Sequence, residues 1–134
     1  MCGIAGQVYQ DYQRTVDRAT LVRMSEVIRH RGPDSEGFYA RGPVGLAARR
    51  LSVIDLATGD QPLCNEDQSI WLVFNGEIYN FKEVRAELQK RGHRFQPAGD
   101  TEPIVHLYEE FGVDCINHLR GMFAFALWDE PNRR

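Results

Sequence analysis

The apolar positions of this 134-residue chain change period several times, and each change marks an element. The stretch from Ile4 to Tyr9 reads as a short strand, with Gly3 and Gly6 permitting a neighbouring backbone to come close. Leu21, Met24 and Ile28 then recur at helical spacing with Val27 beside them, which predicts an amphipathic helix over 18–29. Asp17 is a suitable N-cap for it. Gly32-Pro33 closes it, because a residue preceding proline is driven out of the helical region. Two strands are expected over 37–40 and 44–51, turning at Arg41, Gly42 and Pro43. Val53, Ile54 and Leu56 extend the apolar material, and 58–62 is a loop.

The unbroken apolar run from Ile70 to Phe74 predicts a strand covered on both faces, ending at Asn75-Gly76-Glu77. Asn80 and Glu83 have capping-box spacing for a second helix, with Val84 and Leu88 on its apolar side and Gly92 as its stop. Arg94-Phe95 is expected to open a strand, and Gly99-Asp100 to lie in a loop. Thr101 is placed to cap a third helix, with Pro103 in its first turn and Ile104, Leu107, Tyr108 and Phe111 as its apolar face. A short helical turn over 114–119 and an apolar strand over 122–128 complete the pattern. The chain stops just after that strand, where a hairpin return is expected, so it reads as the front part of a longer polypeptide.

Composition narrows the class without naming it. Hydrophobic residues make up 43% and charged residues 26%, with a net charge of -3, the profile of an ordinary globular domain. The length fits one domain over residues 1–134. No basic cluster with interleaved aromatics points to nucleic acid. No apolar run reaches the roughly 20 residues of a membrane span. The N-terminus lacks the pattern of a signal peptide, so a cytoplasmic location is expected. Cys2, Cys64 and Cys115 are scattered, without CxxC spacing, and no metal site is expected. His93 and His106 read as packing or surface residues, and His30 as a structural hydrogen-bonding group.

The chemistry starts at Cys2. Removal of Met1 would put a thiol and a free α-amino group on one residue. The amine, with a pKa of roughly 7.7–8.0, is partly a free base near neutrality. That combination gives an activated nucleophile with its own base. Asn75-Gly76 alone is a turn signal, but its side-chain NH₂ and the glycine N–H would also make a pair of oxyanion donors. Arg50 shares a strand face with Leu46 and Ala48 while Arg49 points the other way. An arginine there suits either a structural ion pair or a two-pronged grip on a carboxylate. Glu77 and Asp100 are either solvated charges or acceptors for an ammonium. Carboxylate, ammonium and amide carbonyl together are the features of glutamine, although spacing alone does not bring these residues to one place.

Five ordered stretches carry a resemblance over essentially the whole chain. They are Met1 to Gly6, Arg29 to Ser35 (Arg-His-Arg-Gly-Pro-Asp-Ser), Arg50 to Asp55, Asn75 to Asn80 and Gly121 to Ala126. The chain resembles the N-terminal glutaminase domain of glutamine-dependent asparagine synthetases, among the class II, N-terminal-nucleophile glutamine amidotransferases. β-Lactam synthetases are similar in fold but typically lack the cysteine. The resemblance implies an α/β (α+β) fold, a four-layer α/β/β/α sandwich of two mainly antiparallel sheets of N-terminal-nucleophile hydrolase type. It implies Cys2 as nucleophile, Asn75 and Gly76 as oxyanion hole, and Arg50 on the glutamine α-carboxylate. Backbone of Leu51, Ser52, Val53 and Ile54 would line the pocket, and Glu77 and Asp100 would hold the α-amino group. Glutamine would be hydrolysed through a γ-glutamyl thioester, with no cofactor in this domain. ATP and Mg²⁺ would belong to a C-terminal synthetase domain that receives the ammonia. The final nitrogen acceptor and the oligomeric state, a homodimer included, stay open. So do a silent glutamine-binding module and a peptide hydrolase of the same nucleophile type.

Overall fold

The computed structural model describes residues 2–51, 60–95 and 99–134. Strands β1 (Gly3–Val8), β2 (Ser35–Arg41) and β3 (Val44–Arg50) form one antiparallel sheet in the order β1-β3-β2. Strands β4 (Leu63–Cys64), β5 (Ile70–Ile78) and β6 (Gly121–Asp129) form a second, in the order β4-β5-β6. Helix α1 (Arg18–Val27) lies against the first sheet, and α3 (Glu102–Phe111) against the second, with α2 (Phe81–Lys90) packed on α3.

Alternation along the strands builds the layers. In β3, Val44, Leu46 and Ala48 face Val73 and Trp128 of the other sheet, so the two sheets pack on each other. On the opposite face of β3, Arg49 turns toward α1, where it donates to the Ser25 carbonyl and reaches Glu26. In β5, Ile70, Leu72 and Phe74 face the helices and join Val84, Leu88, Ile104 and Leu107 in the larger core. Both central strands are thus covered on two sides, as the apolar run from Ile70 predicts for β5. The order from outside to outside is helix, sheet, sheet, helices, which is the expected α/β/β/α sandwich.

Four expectations need correction. The strand beginning at Ile70 does not end before Asn75: β6 pairs with it through Ile78, so the Asn-Gly pair is strand, not turn. Asn80 stands at the N-terminus of α2 but its side chain makes no cap. It instead donates to the His118 carbonyl and accepts from Arg120 N, tying α2 to the entry of β6. Thr101 likewise makes no side-chain cap on α3, and its hydroxyl donates to Asp100. Residues 93–95 form no strand. Asp17, by contrast, caps α1 as predicted, accepting from Ala19 N and Thr20 N. The expected turn over 114–119 is a 3-10 helix, Gly112–His118.

Candidate active site

Cys2 stands at the head of β1. The register pairs Gly3 with Arg49 and Ile4 with Ala48, so Cys2 continues the face of Ile4 and comes beside the end of β3. Its Sγ lies 3.9 Å from the Leu51 carbonyl oxygen, a weak S–H contact that joins the two chain segments. Arg50 points from the same face, buried at 8% exposure, with Nη1 3.4 Å from Asp60 Oδ1. Ser52, Val53 and Ile54, the remaining backbone expected to line the pocket, lie outside the described residues.

The Arg29-to-Ser35 stretch braces this corner. Arg31 Nε donates to the Cys2 carbonyl at 3.1 Å, and Asp34 N donates to the Arg50 carbonyl at 3.1 Å. A Cβ on Gly32 would overlap the Arg49–Arg50 peptide, so only glycine lets the loop lie this close to β3. The sequence motif includes this stretch, but nothing in its residue types announces Arg31 as the group that fixes the backbone of Cys2.

The second half of the site is on β5. Asn75 follows Trp71 and Val73 on the face turned to the first sheet. Its Oδ1 is buried and has no hydrogen-bond partner among the described residues. The backbone donors of this strand alternate. Phe74 N donates to Gln61 Oε1 at 2.6 Å, and Ile78 N donates to Asp100 Oδ2 at 3.1 Å, both away from β6. The two-residue alternation turns the Gly76 N–H to that same edge, between the two side-chain acceptors. Gly76 has φ +152, and a Cβ there would collide with Met122 O and the Phe123 backbone across the ladder. Glycine is therefore required for β5 and β6 to pair while Asn75 and Gly76 keep these directions.

Glu77 is exposed and Asp100 half-buried. Burial pushes the Asp100 carboxyl above its ordinary value of 3.8; the Ile78 N–H bond opposes this, and the nearby negative charge of Glu77 adds to it. A cation between the two carboxylates relieves both the burial and the repulsion.

Three contacts fix how the two sheets are oriented on each other. Arg41 Nη1 is 3.0 Å from Glu130 Oε2, so the Arg41 end of the first sheet lies beside the Ile70–Asp129 end of the second. Tyr39 and Trp71 stack at 4.5 Å midway. Gln61 lies against Gly37 while its side chain holds Phe74. Strand β5 therefore runs toward the end of the sandwich where Cys2 and Arg50 sit, and brings Asn75 there. A separate surface cavity of about 370 Å³ is lined by Asn65, Tyr108, Glu109, Asp129 and Arg134 among others, and by neither Cys2, Arg50, Asn75, Gly76, Glu77 nor Asp100.

Stacked antiparallel sheets, outer helices and a cysteine heading the first strand are the N-terminal-nucleophile arrangement. The glutamine phosphoribosylpyrophosphate amidotransferase of B. subtilis, solved with ADP and GMP, has this fold. It aligns with 68% of this chain and 22% of its own, at a TM-score of 0.52 and 26% identity. Residues 1–134 match the glutamine amidotransferase domain family, and the chain belongs to it. It is 43% identical over 133 residues to asparagine synthetase [glutamine-hydrolyzing] 1 of Bacillus subtilis (strain 168), covering 97% of this chain and 21% of that protein. It is 46% identical over 129 residues to asparagine synthetase [glutamine-hydrolyzing] 1 of Arabidopsis thaliana, covering 96% and 22%. The chain spans about a fifth of the length of these curated relatives. Among the described residues no helix is long and apolar enough to cross a membrane.

Proposed function

We propose that this domain hydrolyses glutamine to glutamate and ammonia through a thioester on Cys2. The observation that carries the proposal is the placement of Cys2 and Arg50 at the end of the sandwich toward which β5 carries Asn75 and Gly76. Arg50 takes the α-carboxylate of the substrate, displacing Asp60 from its guanidinium. Glu77 and Asp100 take the α-ammonium. These two grips set the side-chain amide against Cys2.

With Met1 removed, the α-amine of Cys2 accepts the thiol proton as sulfur attacks the amide carbon. The oxygen of the tetrahedral intermediate becomes an anion, received by Asn75 Nδ2–H and Gly76 N–H. Such donors are fixed before charge develops, so they stabilise it without reorganisation. The amine returns its proton to the departing nitrogen, and ammonia leaves. Water then attacks the thioester, releasing glutamate and restoring the thiol. One glutamine and one water give one glutamate and one ammonia.

The relatives named above are glutamine-hydrolysing asparagine synthetases, which supports a downstream synthetase domain as the receiver of the ammonia. On this reading ATP and Mg²⁺ act in that domain, with aspartate as acceptor. Ammonia release from glutamine, measured with Cys2→Ala beside the parent protein, tests the proposal. The parent releases ammonia and the variant binds glutamine without releasing any. A parent that binds glutamine but never hydrolyses it would make the domain a silent binding module instead.

A further inference from the structure

Away from the proposed active site, His93, His106 and Glu109 each bring a potential ligand atom within 4.8 Å of the others. Their elements explain the convergence. His106 and Glu109 are three residues apart on α3, so they share one side of the helix. His93 follows α2, where its N–H closes the helix on the Leu88 carbonyl, and this delivers its ring to α3. Glu109 Oε2 is 2.7 Å from His106 Nδ1 and 3.5 Å from His93 Nδ1.

Outer partners surround all three. Glu110 Oε1 lies 2.9 Å from His93 Nε2, and Asn65 Nδ2 donates to Glu109 Oε1 at 2.9 Å. The buried Nε2 of His106 makes no hydrogen bond among the described residues, and Glu102 Oε1 stands 3.9 Å from it. A carboxylate on the far nitrogen of a ligating imidazole, and a donor on the free oxygen of a ligating carboxylate, are the supports metal ligands use. Phe95 packs edge-on against His106 at 4.8 Å and gives the cluster an apolar wall.

We propose that His93, His106 and Glu109 bind a divalent transition-metal ion of the zinc or cobalt type. Two imidazoles and one carboxylate suit such ions, whereas magnesium and calcium prefer oxygen ligands throughout. Tetrahedral ligand atoms at 2.0–2.1 Å from zinc stand about 3.3–3.4 Å apart. The His93–Glu109 separation already matches, and the His106–Glu109 contact opens by about 0.6 Å when an ion replaces the shared proton. Water fills the fourth position. The ion acts as a clip: it ties the end of α2 to α3, on either side of the segment that carries Asp100. It takes no part in amide hydrolysis.

The test uses the full-length protein, stripped with a chelator and titrated with Co²⁺, with competition by Zn²⁺. The expected result is a bound Co²⁺ with visible bands of nitrogen and oxygen ligation and no sulfur-to-cobalt charge transfer. Its affinity falls at least about 100-fold in His93→Gln and in Glu109→Gln, as expected for lost ligands. His93 is partly buried and Glu109 exposed, so both variants are expected to fold and are checked for native circular dichroism. The thermal midpoint rises with the ion in the parent and not in His93→Gln. Cobalt binding unchanged by both substitutions, or no cobalt binding at all, overturns the proposal and leaves an ion-pair network.

Discussion

Gly76→Ala tests how the proposed oxyanion edge is built. The backbone at Gly76 has φ +152, which side chains of L residues rarely adopt, at a cost of about 1–3 kcal/mol. The new methyl would also meet Met122 O, with Phe123 Cα at 2.6 Å and Phe123 Cβ at 2.8 Å. Two of these three atoms are backbone of the paired strand, so no rotamer change relieves the clash. Forcing a methyl into such a space costs about 1–3 kcal/mol more. The sum, about 2–6 kcal/mol, is a large part of a typical stability of about 5–15 kcal/mol. At a slope of about 2 kcal/mol per molar urea, the unfolding midpoint falls by about 1–3 M. Gly42→Ala is the control. Its φ is also positive, at +52, but no described atom lies within 4 Å of the added methyl. It carries only the conformational cost, about 1–2 kcal/mol. If Gly76→Ala shifts the urea midpoint no further than Gly42→Ala, the argument from the β5–β6 contact is wrong.

Asn75→Ala is expected to lower kcat for glutamine hydrolysis by about 10²- to 10³-fold with little change in KM, and a loss taken mainly in KM would count against an oxyanion role. Arg50→Ala is expected to raise KM for glutamine about 10- to 100-fold, the worth of hydrogen bonds to a charged group, while Arg49→Met leaves KM unchanged. Arg49 is buried between Glu26 and Glu36, so its substitution instead lowers the unfolding free energy, by about 1–3 kcal/mol given how exposed its partners are. Asp100 must be ionised to hold an ammonium, and burial raises its carboxyl above 3.8, so kcat/KM is expected to fall on the acid side with a break above that value. Asp100→Asn removes the break. The same upward shift makes the Asp100 contribution to stability fully present below its unfolded-state pKa and lost as pH rises through the folded one, which pH-dependent urea unfolding of the two proteins reads directly.

The layers of the fold are legible in the sequence because they follow from side-chain period. The stripe of Ile104, Leu107 and Tyr108 predicts α3 and the structure buries all three. The apolar run from Ile70 predicts a strand between two layers, which β5 is. The ends of elements are less legible. Asn80 and Thr101 have cap-forming side chains, but tertiary partners use them: the chain at His118 and Arg120 for Asn80, and Asp100 for Thr101. Asn75-Gly76 has the composition of a turn, and only pairing with β6 keeps it extended. At the site, residue types suggest Cys2, Arg50 and Asn75, but their meeting depends on how the two sheets stack, which no local pattern encodes. Arg31 and Gln61 act through backbone atoms of Cys2 and Phe74, so their contributions become visible only in three dimensions. The same holds for His93 and His106, whose sequence positions suggest packing and whose rings stand 4.8 Å apart.

The most direct test of the central claim is covalent labelling by a glutamine analogue that carries an electrophile at the side-chain carbon, followed by peptide mapping of the intact protein. One adduct is predicted, on Cys2 of chains that have lost Met1, with ammonia release falling in step with labelling. Adducts on Cys64 or Cys115 instead, or full ammonia release from a protein labelled completely at Cys2, would contradict it.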